Sequence, residues 1–342
     1  MDRHLSPRVA YWCSSFDADI EAVASEVATL RRAFPGSMAW GVGARNWLRV
    51  SRHGIGVNAR LHLLFRGLTQ IAQRCFDVQH LFGGLGDWFH LRAVARRPVV
   101  LTMAVEAEAS DAALLQKVDR FVAEWPLDDE ELQRLGLSRE IVRTIYPPVD
   151  LQRFQPSPPP GGPFTVVFAS SPDRADWLRA RGVELILDAA ERCPDYRFLL
   201  IWRPWGNSLP AIRQLVDSRK LQNVEIEVGR VRDMAESYRR GHVTVAPFVD
   251  PRCSKPAPNS IVESLACGRP VVVTAAVKLA RLIDEAGAGL VSPTAGLGLA
   301  ECLRAIADSW RERSNAARML AEAHFSESSF VANYRQLYGE LI

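Results

Sequence analysis

Between Val27 and Phe76 this chain has no aspartate and no glutamate. Eight arginines fall in the same window, Arg31, Arg32, Arg45, Arg49, Arg52, Arg60, Arg66 and Arg74. Subtracting those eight from a net charge of +3 leaves −5 for the rest of the chain. So one-sided a segment points to an anionic partner. Nucleic acid is set aside, because no recognition motif and no interleaving of aromatic with basic residues accompanies the charge. A phosphorylated acceptor, or peripheral contact of residues 27–76 with an anionic membrane, fits better. Lysine is scarce too: there are only four, Lys117, Lys220, Lys255 and Lys278. The six cysteines are scattered, without a C-x-x-C pair or a histidine at ligand spacing, which excludes a zinc knuckle or a disulfide framework. Buried thiols in a reducing cytosol are the expectation, with no bound metal and no cofactor. No apolar run approaches the roughly 20 residues of a membrane span, and Met1-Asp-Arg-His lacks the apolar core of a signal peptide. The expected location is cytoplasmic, either soluble or peripheral at the membrane.

What is present is an ordinary globular composition, 48% hydrophobic and 24% charged over 342 residues, enough for two domains. Strand-like and helix-like segments alternate along both halves. In the first half, strands are expected at 8–12, 37–42, 77–81, 98–102, 121–123 and 141–145, with helices at 20–34, 59–75 and 127–135. Gly136 follows the last of these helices as a stop signal. In the second half, strands are expected at 164–169, 197–201, 224–228, 243–246 and 271–274, with helices at 183–192, 209–218, 233–239 and 259–267. Strict alternation implies parallel sheets with helices on both faces, and ligands at the carboxyl ends of the strands. The Pro/Gly cluster from Pro156 to Pro163 reads as a linker. The expected organisation is an N-terminal domain over 1–147, a linker over 148–163, a second domain over 164–325 and a terminal amphipathic helix over 326–342.

The most informative stretch is Lys255-Pro-Ala-Pro-Asn259-Ser260-Ile-Val-Glu263-Ser-Leu-Ala-Cys-Gly268-Arg-Pro270-Val-Val-Val-Thr274. It reads as a loop, an amphipathic helix capped by Asn259 or Ser260, a glycine stop and a buried β-branched strand. The helix start offers unpaired N–H groups and a positive dipole end to a phosphate. Lys255 adds a cation, and Glu263, on the exposed side one turn in, adds an acceptor for ribose hydroxyls.

The same stretch resembles the donor site of the retaining GT-B glycosyltransferases called glycosyl transferases group 1, or family 4. That pattern has a Glu, seven residues, a second Glu, and then Gly-x-Pro-Val-Val. Glu263 and Gly268-Arg-Pro-Val-Val match its second part, whereas Lys255 stands where its first Glu would be. Pro148-Val-Asp150-x-x-x-Phe154 resembles the family's hinge, and Arg181-Gly182 its diphosphate-gripping Lys-Gly. Ser170 and Ser171 replace its Gly-Arg. Arg203, in Trp202-Arg-Pro-Trp205, and Arg230, in Gly229-Arg-Val-Arg-Asp233, occupy loops that face the nucleotide in the family. His80 resembles the end of its Asp-Val-x-His, and Asp17 lies where its Gly-rich first loop would be.

The resemblance implies two Rossmann-like doubly wound domains facing a cleft, with the last helix crossing back to the first domain. It implies metal-independent transfer from a nucleoside-diphosphate sugar, a UDP-sugar first of all, with retention of configuration. Arg181 and Lys255 would be catalytic, stabilising charge on the leaving diphosphate. Glu263, Ser260, Asn259, Ser170, Ser171, Arg203 and Arg230 would bind the donor, and His80 and Asp17 would face the acceptor. Two other classes share the architecture: a sugar-nucleotide epimerase, and a non-catalytic nucleotide-sugar-binding subunit.

Overall fold

The computed structural model describes residues 6–13, 22–42, 48–51, 54–83, 88–104, 112–204, 206–295 and 297–342. The chain divides into two units, Met1–Pro147 with Glu327–Ile342, and Pro148–Ser326.

The first unit runs β1 (Val9–Trp12), α1 (Ala22–Ala33), β2 (Met38–Val42), β3 (Leu48–Ser51), β4 (Gly54–Val57), α2 (His62–Ala72), β5 (Val78–Gly83), α3 (Trp88–Ala93), β6 (Val99–Met103), α4 (Ala112–Leu115), β7 (Arg120–Ala123), α5 (Asp129–Leu135) and β8 (Val142–Thr144). Its strands lie in the order β3-β4-β2-β1-β5-β6-β7-β8. All pairs are parallel except the β3–β4 hairpin at the edge. Every residue of β1, β5 and β6 is buried, as expected of central strands covered on both faces. Local chemistry sets α5: Asp128 and Glu131 form a reciprocal capping box, and Gly136 ends the helix in the left-handed region at φ 65°.

The second unit runs β9 (Thr165–Phe168), α6 (Val183–Arg192), β10 (Arg197–Trp202), α7 (Ser208–Ser218), β11 (Val224–Val228), α8 (Met234–Arg239), β12 (Val243–Ala246), α9 (Asn259–Ala266), β13 (Val271–Val273), α10 (Ala280–Glu285), β14 (Gly289–Val291), α11 (Gly298–Asp308) and α12 (Trp310–His324). Its sheet is parallel throughout, in the order β11-β10-β9-β12-β13-β14. The chain leaves β9 toward β11 on one side and later returns to build β12 to β14 on the other. The order therefore reverses between β9 and β12, the place where an open parallel sheet leaves a crevice at its carboxyl edge.

The segment read from sequence as a linker belongs to the second unit and is held there by Arg269. That buried guanidinium donates to the carbonyls of Ser157 (2.9 Å), Pro158 (3.0 Å) and Arg239 (3.2 Å) and to the Ser157 hydroxyl (2.7 Å). Its plane lies over the Trp310 ring.

The last helix, α13 (Glu327–Gly339), packs on the first unit. Phe330, Tyr334, Leu337 and Tyr338 are buried beside Val9, Leu30 and Phe34. Glu327 bonds Thr29 and Arg32 at the helix start. A helix distant in sequence thus completes the core of the first unit.

Candidate functional site

Ser170, Arg181, Asn259, Ser260 and Glu263 come together at the carboxyl edge of the second sheet, around the β9/β12 reversal. Ser170 follows β9, Arg181 precedes α6, and the other three lie in the first turns of α9. The Ser170 and Ser260 hydroxyls share a hydrogen bond of 2.9 Å across this crevice.

Gly182 is the pivot that turns the chain into α6. It is left-handed at φ 69°, and a Cβ there would lie 1.8 Å from the Pro247 carbonyl oxygen. Only glycine permits both the conformation and the approach. This turn folds Arg181 inward. Its Nη1 donates to the Ser170 carbonyl at 3.2 Å and reaches the Ser254 hydroxyl at 3.5 Å, with the guanidinium over the Phe248 ring. Its Nε is buried without a hydrogen-bond partner among the described residues. Burial lowers the Arg181 pKa from its ordinary value, but an arginine keeps its charge at any working pH. A buried cation with an unused donor is costly unless an anion completes it.

In α9 the helix starts at Asn259 as expected, but its cap differs. Pro258 is the N-cap and offers no side-chain cap, so Asn259 and Ser260 are the first helical residues. Their hydroxyl and amide are therefore not consumed in capping. Asn259 Oδ1 is buried without a partner among the described residues, which leaves it able to accept from a ligand.

Glu263 does not lie on an exposed helix face. It is half-buried, and its Oε2 accepts from the Tyr238 hydroxyl at 2.9 Å. Burial raises its pKa from the ordinary 4.5 to about 7, opposed by the Tyr238 hydrogen bond and by Arg153 and Arg203. A carboxylate held in so unfavourable a place is a functional-site signal with a physical cause.

The remaining residues divide. Lys255 is half-buried on the loop between β12 and α9. Arg203 is exposed at the carboxyl end of β10, and its backbone N–H donates to Ser171 Oγ at 3.1 Å. The Ser171 hydroxyl is therefore engaged inside the protein, joining the loops after β9 and β10. Ser208 strengthens that join, accepting from Trp202 Nε1 and donating to the Pro172 carbonyl. Arg230 is exposed beyond the edge strand β11. Asp17 and Trp205 lie outside the described residues.

His80 is corrected by the structure. Rather than facing an acceptor, it is fully buried in β5, with Nδ1 2.5 Å from the Tyr338 hydroxyl and Nε2 2.7 Å from Thr102 Oγ1. Thr102 Oγ1 is in turn 2.7 Å from the Tyr334 hydroxyl. Burial holds the imidazole pKa well below its ordinary 6.5, so the ring is neutral. Its role is to join two strands to the last helix.

Of the acid-free window, Arg60, Arg66 and Arg74 are exposed on or next to α2, with Ile71 at 69% exposure among them. Arg32 pairs with Glu327 at 3.1 Å. Arg45, Arg52 and the Arg49 side chain lie outside the described residues. No helix among the described residues is long and apolar enough to cross a membrane.

Sequence reasoning missed Tyr238 and Arg153, both near Glu263. Tyr238 belongs to no motif and Arg153 fills a variable position of the hinge pattern; they meet the carboxylate only through the packing of α8 and of the segment before β9.

Residues 164–309 match the model of the family described as glycosyl transferases group 1. The chain is 29% identical over 203 residues to a D-inositol 3-phosphate glycosyltransferase of Saccharomonospora viridis, which amounts to 53% of this chain and 45% of that protein. It thus spans about half the length of the curated relative it matches. The fold is similar to that of Anabaena HepE in complex with UDP and glucose, with a TM-score of 0.76 and 15% identity, over 98% of this chain and 100% of that one. It is also similar to a sucrose-phosphate synthase from Thermosynechococcus elongatus, with a TM-score of 0.75 and 17% identity, over 97% and 98% of the two chains. The two parallel-sheet units are those of the GT-B architecture.

Proposed function

From the match of residues 164–309 to the glycosyl transferases group 1 family, we propose that this protein transfers a sugar from a nucleoside-diphosphate sugar to an acceptor hydroxyl. The observation that carries the reading is the set of unfulfilled polar groups at one crevice: Arg181 Nε and Asn259 Oδ1, both buried without partners among the described residues, beside the start of α9. A diphosphate supplies the anion for the first and for the helix start. A ribose or sugar hydroxyl supplies the donor for the second, and ribose hydroxyls meet Glu263. A UDP-sugar is the first choice of donor, supported by the neighbour HepE, whose complexes hold UDP and UDP-glucose.

In the reaction, the bond from the anomeric carbon to the diphosphate breaks and the acceptor oxygen takes its place. Charge grows on the leaving diphosphate, and Arg181 and Lys255 offset it without a metal. The acceptor attacks from the face the diphosphate leaves, and a phosphate oxygen takes the hydroxyl proton, so configuration is retained. The acceptor is anionic, in keeping with the basic window and with a relative named for inositol 3-phosphate. The protein acts in the cytoplasm, in glycan or glycoconjugate synthesis.

The test incubates the protein with UDP-, GDP- and ADP-sugars in the presence of a chelator, with and without phosphorylated acceptors. Acceptor-dependent release of nucleoside diphosphate and a product with the donor's anomeric configuration are expected. Interconversion of donor sugars without an acceptor would identify an epimerase instead. Binding without turnover under any pairing would identify a binding subunit.

A further inference from the structure

We propose that Tyr238 is the positioning residue of the donor site, its hydroxyl fixing one oxygen of Glu263 so that the other is presented to the ribose. The inference rests on the donor reading above and names a residue that reading does not use.

The geometry is specific. Tyr238 is 1% exposed in α8, and its ring packs against Phe154 with centroids 6.3 Å apart. Its single hydroxyl proton goes to Glu263 Oε2 at 2.9 Å. Oε1 has no hydrogen-bond partner among the described residues. The terminal torsion of a glutamate is broad and roughly two-fold, so an untethered carboxylate would spread over many orientations. Tethering one oxygen removes that freedom before the ligand arrives, which is how a supporting group contributes to affinity.

The same bond also governs charge. A buried carboxylate with no donor takes up a proton, and a protonated carboxyl is a poorer acceptor for ribose hydroxyls. The groups that face Glu263 are Tyr238 from α8, Arg153 from the segment before β9, Arg203 from the end of β10, and Cys267 one turn further along α9. Arg153 is itself paired with Asp233 at 3.4 Å. Burial holds the tyrosine well above its ordinary 10 and the thiol up to about 12. Between pH 5.5 and 8.5 Glu263 is therefore the member of this cluster that titrates, with the Tyr238 bond favouring its ionised form against burial.

The experiment measures UDP affinity by calorimetry from pH 5.5 to 8.5 for wild type, Tyr238→Phe, Glu263→Gln and the double variant. Tyr238→Phe keeps the ring and its packing and removes one oxygen atom. It should weaken UDP about five-fold at pH 7 and move the midpoint of the pH profile up by about one unit, the scale of one hydrogen bond to a charged group. In the Glu263→Gln background the same change should have no further effect, because the two act as one unit. The titration of UDP itself is common to all four proteins. A midpoint that stays where it is in Tyr238→Phe, or an equal loss in the Gln background, overturns the positioning role and leaves Tyr238 a packing residue. If wild type fails to bind UDP, or Glu263→Gln binds it as tightly as wild type, the donor reading itself fails.

Discussion

His80 in the first unit and Glu263 in the second are both titratable groups on a parallel-sheet unit, and the two units treat them oppositely. Both nitrogens of His80 are bonded to side chains of the same unit, and the result is a strand pair joined to the last helix. Among the described residues, Glu263 has one oxygen tied and one unengaged, and Arg181 and Asn259 nearby each have an unused buried atom. The first unit uses these polar atoms for cohesion. The second holds its own at an energetic cost, as a binding surface must before its ligand arrives.

The sharpest test of that contrast is His80→Ala. It removes a buried ring and leaves the Tyr338 and Thr102 hydroxyls short of a partner, so chemical denaturation should show a loss of about 3–5 kcal/mol. UDP affinity should be unchanged where the protein stays folded. A loss of UDP binding with little loss of stability would reverse the assignment of the two units.

Arg181→Ala should do the opposite, cutting turnover about 100-fold or more with a small change in stability. Lys255→Ala should act similarly on turnover. Lys255→Glu, which places a carboxylate where the family pattern has one, should also lower the rate. If it raises the rate instead, Lys255 does not neutralise the leaving group.

Glu263→Ala is expected to weaken UDP by roughly 1.5–3 kcal/mol, read by calorimetry. Its conservative partner, Glu263→Gln, tests the cost of holding the carboxylate. Burial raises the folded-state pKa to about 7 from 4.5, so the folded protein keeps this proton where the unfolded chain releases it. The stabilisation from this group is full below about pH 4.5, declines as pH rises, and is gone above about 7. Urea midpoints from pH 4.5 to 8 should fall less steeply for Glu263→Gln than for wild type. Parallel slopes would mean that Glu263 titrates normally.

The smallest effect concerns the basic window. Arg60, Arg66 and Arg74 with exposed Ile71 should give weak, salt-sensitive sedimentation with anionic vesicles, at about 1 kcal/mol per arginine near the surface. Equal, negligible binding to anionic and neutral vesicles would assign the window to a small acceptor.

Sequence by itself determined the second unit well, because its elements are local: β-branched residues in β9 and β11 to β13, an apolar run in β10, glycine at the turn into α6, and the helix-and-strand signature from Asn259 to Thr274. The β3–β4 hairpin escaped it, since each strand is only four residues long and β4, Gly-Ile-Gly-Val, carries two glycines. So did β14, α10, α11 and α12; the first two are only 3 and 6 residues long. The site residues Arg181, Asn259, Ser260 and Glu263 were legible as residue types in a motif. Their state was not. Whether Glu263 is solvated or half-buried, whether Asn259 caps its helix, and whether His80 faces a ligand or a tyrosine depend on which neighbours arrive from elsewhere in the chain. Tyr238 meets Glu263 from 25 residues away, and Tyr338 meets His80 from 258. Helix and strand follow from near-neighbour periodicity. Burial, and with it charge state and the pairing of polar atoms, is set by contacts that exist only once the sheets have closed over them.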